Sequence, residues 1–141
     1  MDFTGRQDLF NKYSDVVLIL VDSQKTIKLN LHKIILAYHC EYFDKMFSFE
    51  PEKNIFTMQV SNVNIMECII MSFYGLKKEP TDYPYWKYIL ETFICKNYLC
   101  LTNDVSNLYD LKVPPEGFYL LLDVVSYYDI NADYKLKRLL K

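Results

Sequence analysis

Cysteine and histidine are the residues of this chain best suited to metal binding or nucleophilic chemistry, and they form two pairs. His39 and Cys40 are adjacent, whereas Cys95 and Cys100 are separated by four residues. Neither pair matches a zinc motif well, and the two pairs lie on different predicted elements. Adjacent residues of a helix point about 100° apart, so His39 is badly placed to deprotonate the Cys40 thiol. We therefore predict no metal, no cofactor, no catalytic residue and no enzyme activity.

The composition argues against nucleic acid or a membrane as a partner. The chain has 141 residues and a formal net charge of -2, so it lacks the basic character of a nucleic-acid-binding protein. Its first residues are too polar for a signal peptide, and no apolar run approaches the length of a membrane span. The 4 cysteines are expected to be reduced, in the cytoplasm or the nucleus. A content of 13 Tyr exceeds what one small core needs and favours a protein–protein interface.

The first half of the chain predicts a small sheet followed by helices. Residues 16–21 form a short apolar run rich in β-branched side chains, and residues 27–31 alternate between apolar and polar types. These patterns are typical of a buried strand and a half-exposed strand joined in a hairpin. A third strand is expected at 55–60. From His32 the apolar residues recur with helical spacing. The helical pattern is weak at residues 39–41, in the middle of this segment, and this predicts two short helices.

The second half predicts helices only, which favours an α+β fold. The first of them is expected to begin with a capping box of Asn64 and Glu67 and to end at Gly75. The next is expected at 84–98, with Trp86 anchoring it to the body of the domain.

Two further helices are predicted towards the end of the chain. One follows Pro114 and is expected to carry Phe118, Leu121, Leu122, Val125 and Tyr128. The other is expected from Ala132 to Leu140, after a cap at Asn131.

Several sequence features, taken in order, resemble those of a BTB/POZ domain. They are Asp15-Val16 at the first core strand, His32-Lys33 at the next helix, the block of Tyr42, Phe43, Met46 and Phe47, the Tyr74-Gly75 pair, and the helical tail. The resemblance covers about residues 12–75 and 115–141, and it implies a small sheet covered by a cluster of helices. The segment 76–113 is then a helical insertion within a single domain spanning 1–141. Insertions of this kind resemble those in the BTB proteins of large DNA viruses, which would place the protein in a host cell.

The resemblance implies a protein-interaction module that acts as an adaptor. Members of the family present a helix and the following loop to a cullin-3 ubiquitin-ligase scaffold, and the matching residues here are Tyr42, Lys45, Phe49 and Glu52. Glu52 matches a glutamate of the family, but Phe49 lies three residues before it where the family has an apolar residue two before. The client that such an adaptor would recruit is not indicated. A merely solvated acidic loop is the alternative interpretation of this stretch.

Self-association is the second property that the resemblance implies. Asp15 and Lys33 correspond to residues near the dimer groove of the family. A homodimer is expected, with residues 3–13 contributing, because the helix-rich face and the surplus of Tyr suggest apolar area to bury. The alternative to the adaptor is a homo-oligomerising structural or transcriptional scaffold that binds no cullin. An Asp at the start of a strand is otherwise a turn or cap residue, and His32 is expected to be a hydrogen-bonded structural residue.

Overall fold

The computed structural model describes residues 11–80, 82–102, 108 and 111–127. They belong to two compact units, Met1–Pro80 and Thr81–Lys141. The described strands are β1 (Val16–Val21), β2 (Thr26–Leu31) and β3 (Ile55–Gln59). The described helices are α1 (Lys33–His39), α2 (Glu41–Phe49), α3 (Val63–Ser72), α4 (Tyr85–Tyr98) and α5 (Phe118–Tyr127), the last preceded by a 3₁₀ turn at Pro115–Gly117.

The predicted α+β class and the three predicted strands are confirmed, whereas the single domain over 1–141 stays a prediction. The predicted contribution of residues 3–10 and the predicted helix at 132–140 lie outside the described residues. The predicted division between α1 and α2 is present, because Cys40 is extended and separates the two helices.

β1 is the central strand of the sheet in the first unit. The strand order is β2-β1-β3, with β1 antiparallel to β2 and parallel to β3. Since successive side chains of a strand point to opposite faces, Val16, Leu18 and Leu20 share one face, and all three are buried. The apolar run that predicted a buried strand therefore forms the middle of the sheet.

Asp22 joins the end of β1 to the start of α3. Its Oδ1 accepts hydrogen bonds from the backbone N–H groups of Gln24 and Lys25, each at 2.8 Å, and closes the hairpin turn. Its Oδ2 accepts a hydrogen bond from the backbone N–H of Val63, also at 2.8 Å. Val63 is the first residue of α3, whose early N–H groups have no partner within the helix. One carboxylate therefore fixes both the hairpin turn and the origin of a helix that follows much later in the chain.

The start of α3 differs from the sequence prediction. The cap is Asn62, whose side-chain oxygen accepts a hydrogen bond from the N–H of Ile65 at 3.1 Å. The predicted capping box of Asn64 and Glu67 is wrong, since Glu67 forms an ion pair with Lys78 at 2.6 Å. The helix starts earlier than predicted because Asp22 and Asn62 together satisfy its first N–H groups.

α4 and α5 pack together in the second unit. Leu90 and Phe93 of α4 share a buried cluster with Leu121 and Val124 of α5, and Trp86 packs against this cluster.

Gly117 is essential to this packing, because a Cβ atom at that position would lie 2.5 Å from the Trp86 ring. Trp86 thus anchors α4 within its own unit. Of the apolar residues predicted on α5, Leu121 and Val125 are buried, whereas Phe118 and Leu122 are 49% and 50% exposed. The inward face of α5 consists of Leu121 with Val124 and Val125, which follow it by three and four positions and belong to the cluster shared with α4.

Two classes of feature are absent from the part of the chain that the structure describes. No described helix combines the length and the apolar character required to cross a bilayer. The described residues also contain no cluster of three or more His, Cys, Asp or Glu side chains suited to a metal ion.

We predict that Asp22 contributes stability that depends on pH. Burial alone would raise the pKa of this carboxyl, but hydrogen bonds from three backbone N–H groups, with the charge of Lys25, outweigh burial and lower it. A carboxyl whose pKa is lower in the folded state stabilises the fold above its unfolded pKa of about 3.9, and this stability is lost as the pH falls through the folded pKa.

The Asp22→Asn variant keeps one oxygen acceptor but leaves the buried N–H of Val63 without its carboxylate. We expect a loss of about 1 to 3 kcal/mol at pH 7 by urea denaturation. The difference from wild type should shrink between pH 5 and pH 3. An equal difference at both pH values would contradict the assignment.

Candidate protein-interaction surface

α2 is held to the sheet by its aromatic side chains. Phe43 and Phe47 are buried one turn apart, with ring centroids separated by 6.0 Å. The Phe47 ring also meets Phe56 of β3 edge-on, with centroids 5.5 Å apart. Because these side chains fix the inner face of the helix, the residues of the opposite face are presented from a rigid support.

The outer face of α2 carries three of the four residues predicted to bind a cullin. Tyr42, Lys45 and Phe49 are spaced three and seven residues apart, which places them on one side of a helix. Phe49 is 86% exposed and is the last residue of the helix, not part of the loop as predicted. Tyr42 is half-buried, with its ring edge-on to Phe43, and Lys45 forms an exposed ion pair with Glu41 at 3.3 Å.

The turn after α2 adds the fourth residue, Glu52, which is exposed. In the same turn Glu50 pairs with Lys53 at 3.2 Å, and the Lys53 ammonium lies 5.0 Å from the centre of the Phe56 ring. No hydrogen bond or ion pair to the Glu52 carboxylate is found among the described residues. We call Tyr42, Lys45, Phe49 and Glu52 the α2 surface; it combines exposed aromatic area with a carboxylate.

A second exposed apolar area lies on α1. Ile34 and Tyr38 are 79% and 84% exposed and are four residues apart, so they are neighbours on one face of the helix. The far end of α1 is fixed to α3, because the His39 ring stacks on the Phe73 ring at a centroid distance of 5.4 Å. We call Ile34 and Tyr38 the α1 surface.

Asp15 and Lys33, the two residues predicted near a dimer groove, meet within one chain. The Asp15 Oδ1 accepts a hydrogen bond from the backbone N–H of Lys33 at 2.8 Å. Lys33 is the first residue of α1, and His32 before it provides no side-chain cap. Asp15 therefore acts as a capping residue for α1, although it is distant from that helix in sequence. A role in a dimer groove stays a prediction.

His32 is fixed by a buried tyrosine, Tyr74. The sequence analysis used this residue only as part of the Tyr74-Gly75 pair that resembles the family. The Tyr74 hydroxyl accepts a hydrogen bond from the His32 backbone N–H at 2.9 Å and lies 3.0 Å from His32 Nδ1. Tyr74 is fully buried, and burial raises the pKa of its hydroxyl well above the ordinary value. The hydroxyl therefore keeps its proton at neutral pH and ties the start of α1 to the end of α3.

The chain belongs to the BTB/POZ domain family. The family model matches residues 6–108, a range that includes most of the predicted insertion and ends before the predicted family tail at 115–141. A module of this family mediates protein–protein interaction and is not typically catalytic.

The relatives with high sequence identity are proteins of Acanthamoeba polyphaga mimivirus. A putative BTB/POZ domain and WD-repeat protein is 41% identical over 84% of this chain and 26% of its own length. A putative BTB/POZ domain-containing protein is 41% identical over 93% of this chain and 24% of its own length. The chain thus spans about a quarter of the length of these relatives.

A solved structure also matches part of this chain. The BTB domain of human gigaxonin matches 74% of this chain and 80% of its own chain, with 21% identity and a TM-score of 0.49.

We predict that Asp15 acts chiefly as an acceptor for the start of α1. Asp15→Ala removes that acceptor and should lower the free energy of unfolding by about 1 kcal/mol, as for the loss of a helix cap. Asp15→Asn keeps an oxygen in place and should lose less. Denaturant unfolding of both variants checks this order, and an equal loss in both would show that the charge matters rather than the hydrogen bond.

Proposed function

We propose that this chain is an adaptor module that docks to a cullin-3-type ubiquitin-ligase scaffold through the α2 surface. The observation that carries the proposal is Phe49, a large aromatic side chain that is 86% exposed at the end of a firmly packed helix. The proposal also rests on membership of the BTB/POZ family. The client would be recruited by another surface or by another part of a longer protein. A cytoplasmic or nuclear location is proposed with it, since the described cysteines are thiols.

The chemistry of the α2 surface suits a partner with an apolar pocket. Interfaces of this kind draw most of their affinity from a few aromatic anchors that are surrounded by polar contacts. Phe49 would fill the pocket, Tyr42 would pack beside it, and the Glu52 carboxylate would accept hydrogen bonds from the partner. Lys45 would lie at the rim, where its ion pair with Glu41 is solvated and contributes little to affinity.

Self-association through the α1 surface is the alternative, and a specific observation favours it. Ile34 and Tyr38 expose two large apolar side chains next to each other on one helix. A second copy of the chain could cover both residues in a symmetric interface, in which the same patch serves both subunits. A homo-oligomerising scaffold would need this surface and not the α2 surface.

We predict that Phe49→Ala weakens binding to purified cullin-3 at least tenfold, which corresponds to about 1.4 kcal/mol. The side chain is exposed, so its removal should leave the melting temperature nearly unchanged. Isothermal titration calorimetry measures the affinity, and Tyr38→Ala is the matched control because it removes an equally exposed aromatic ring from α1. If wild-type protein fails to bind cullin-3 at micromolar concentration, the adaptor is rejected and the scaffold is favoured.

We predict that the Ile34→Ala/Tyr38→Ala double variant raises the dissociation constant of the homodimer at least tenfold. Removing both side chains leaves a symmetric interface without its apolar centre. Light scattering over a concentration series gives the dimer fraction, and Phe49→Ala should have the dimer fraction of wild type. A wild-type protein that is monomeric at tens of micromolar would reject self-association.

A further inference from the structure

Lys33 reaches the turn that carries Glu52. Its backbone is fixed by the hydrogen bond to Asp15 at 2.8 Å. Its Nζ donates to the carbonyl oxygen of Pro51 at 3.3 Å and to the Asn54 Oδ1 at 3.2 Å. A single ammonium group of α1 thus bonds to residues on both sides of Glu52.

The same ammonium also faces the inner side of α2. Nζ lies 5.7 Å from the centre of the Phe47 ring, within the range of a cation–π contact. Phe47 is two residues before Phe49, so Lys33 contacts the helix end that presents Phe49 and the turn that presents Glu52. These contacts set the two parts of the α2 surface relative to each other.

The turn itself has little else to hold it. All residues from 50 to 54 are exposed, so no buried side chain anchors them. Within the turn, the N–H of Lys53 donates to the carbonyl of Glu50 at 3.1 Å, and their side chains form a solvated ion pair, which stabilises weakly. The carbonyl of Asn54 accepts from the N–H of Val17 at 2.8 Å and marks the point where the sheet begins. Among the described residues, the other contacts from outside the turn are the cation–π contact of Lys53 with the Phe56 ring and the two hydrogen bonds from Lys33.

We propose that Lys33 is a positioning residue for the α2 surface, holding the 50–54 turn, which carries Glu52, in one conformation relative to the end of α2. This inference rests on the proposed docking function, and it gives Lys33 a role different from that expected near a dimer groove. A turn that is already ordered loses less conformational entropy on binding, which increases affinity without adding a contact to the partner. Lys33 would therefore raise affinity while lying behind the binding surface.

The experiment compares Lys33→Met with Lys33→Arg. Methionine keeps an unbranched apolar stem against Phe47 and removes the hydrogen-bond donors, whereas arginine keeps both charge and donors. Lys28→Met is the matched control, since Lys28 is an exposed lysine of β2 whose side chain points away from the buried face of the sheet. Three quantities are measured for each variant: hydrogen exchange of the Lys53 amide, affinity for purified cullin-3, and the dimer fraction by light scattering.

The expected result is faster exchange of the Lys53 amide and about fivefold weaker binding in Lys33→Met, with an unchanged dimer fraction. Lys33→Arg and Lys28→Met should match wild type. Unchanged exchange in Lys33→Met would overturn the positioning role, whether or not cullin-3 binds. Faster exchange together with absent binding by wild type would support the positioning role and reject the docking function. A change in the dimer fraction with unchanged exchange of the Lys53 amide would overturn the positioning role and favour a role of Lys33 in the dimer groove.

Discussion

The central strand β1 is flanked at each end by an aspartate, and the carboxylate of each aspartate fixes the start of a helix. Asp15 accepts the N–H of Lys33 at the start of α1, and Asp22 accepts the N–H of Val63 at the start of α3. Both helix origins are therefore set by the strand that forms the middle of the sheet. This arrangement satisfies N–H groups that would otherwise lack partners, and it fixes where the helices begin relative to the buried residues of β1.

The two candidate surfaces are consequences of that arrangement. α1 is fixed at one end by Asp15 and Tyr74 and at the other by the stacking of His39 on Phe73. α2 is fixed through Phe47. Since the inner faces are occupied, the large apolar residues left on the outer faces cannot turn inward. Such residues usually have a partner when they lie side by side, so the outer faces of α1 and α2 are candidate interaction surfaces.

Membership of the BTB/POZ family establishes the class of function, which is protein–protein interaction. The choice of partner depends on the chemistry of the exposed surfaces. Phe49 lies at the end of a helix and not in the loop where the sequence placed it. Its position relative to Glu52 therefore depends on the turn between them, and that turn is exposed along its whole length. We propose that the way this turn is held affects binding in addition to the Phe49 side chain itself.

Some sequence predictions failed for identifiable physical reasons. Asn64 and Glu67 have the spacing of a capping box, but Asp22 and Asn62 satisfy the first N–H groups of the helix and move its start upstream. Phe118 and Leu122 have a spacing that suits a buried face, yet α4 packs on the neighbouring face through Leu121 and Val124. An apolar helix such as α5 has more than one face that could be buried, so periodicity alone could not select between them.

The sequence by itself determined the local elements, because their signals lie within a few residues. The apolar run of β1, the alternation of β2 and the break at Cys40 predicted the strands and the two short helices, and the ordered motifs predicted the family. The tertiary structure alone decided which polar groups meet. His32 and Tyr74 are 42 residues apart in sequence, Asp22 and Val63 are 41 apart, and Lys33 and Asn54 are 21 apart. Such pairs leave no periodic signal in the chain, since they form only when packing of the apolar faces brings distant backbone and side-chain groups within hydrogen-bond distance.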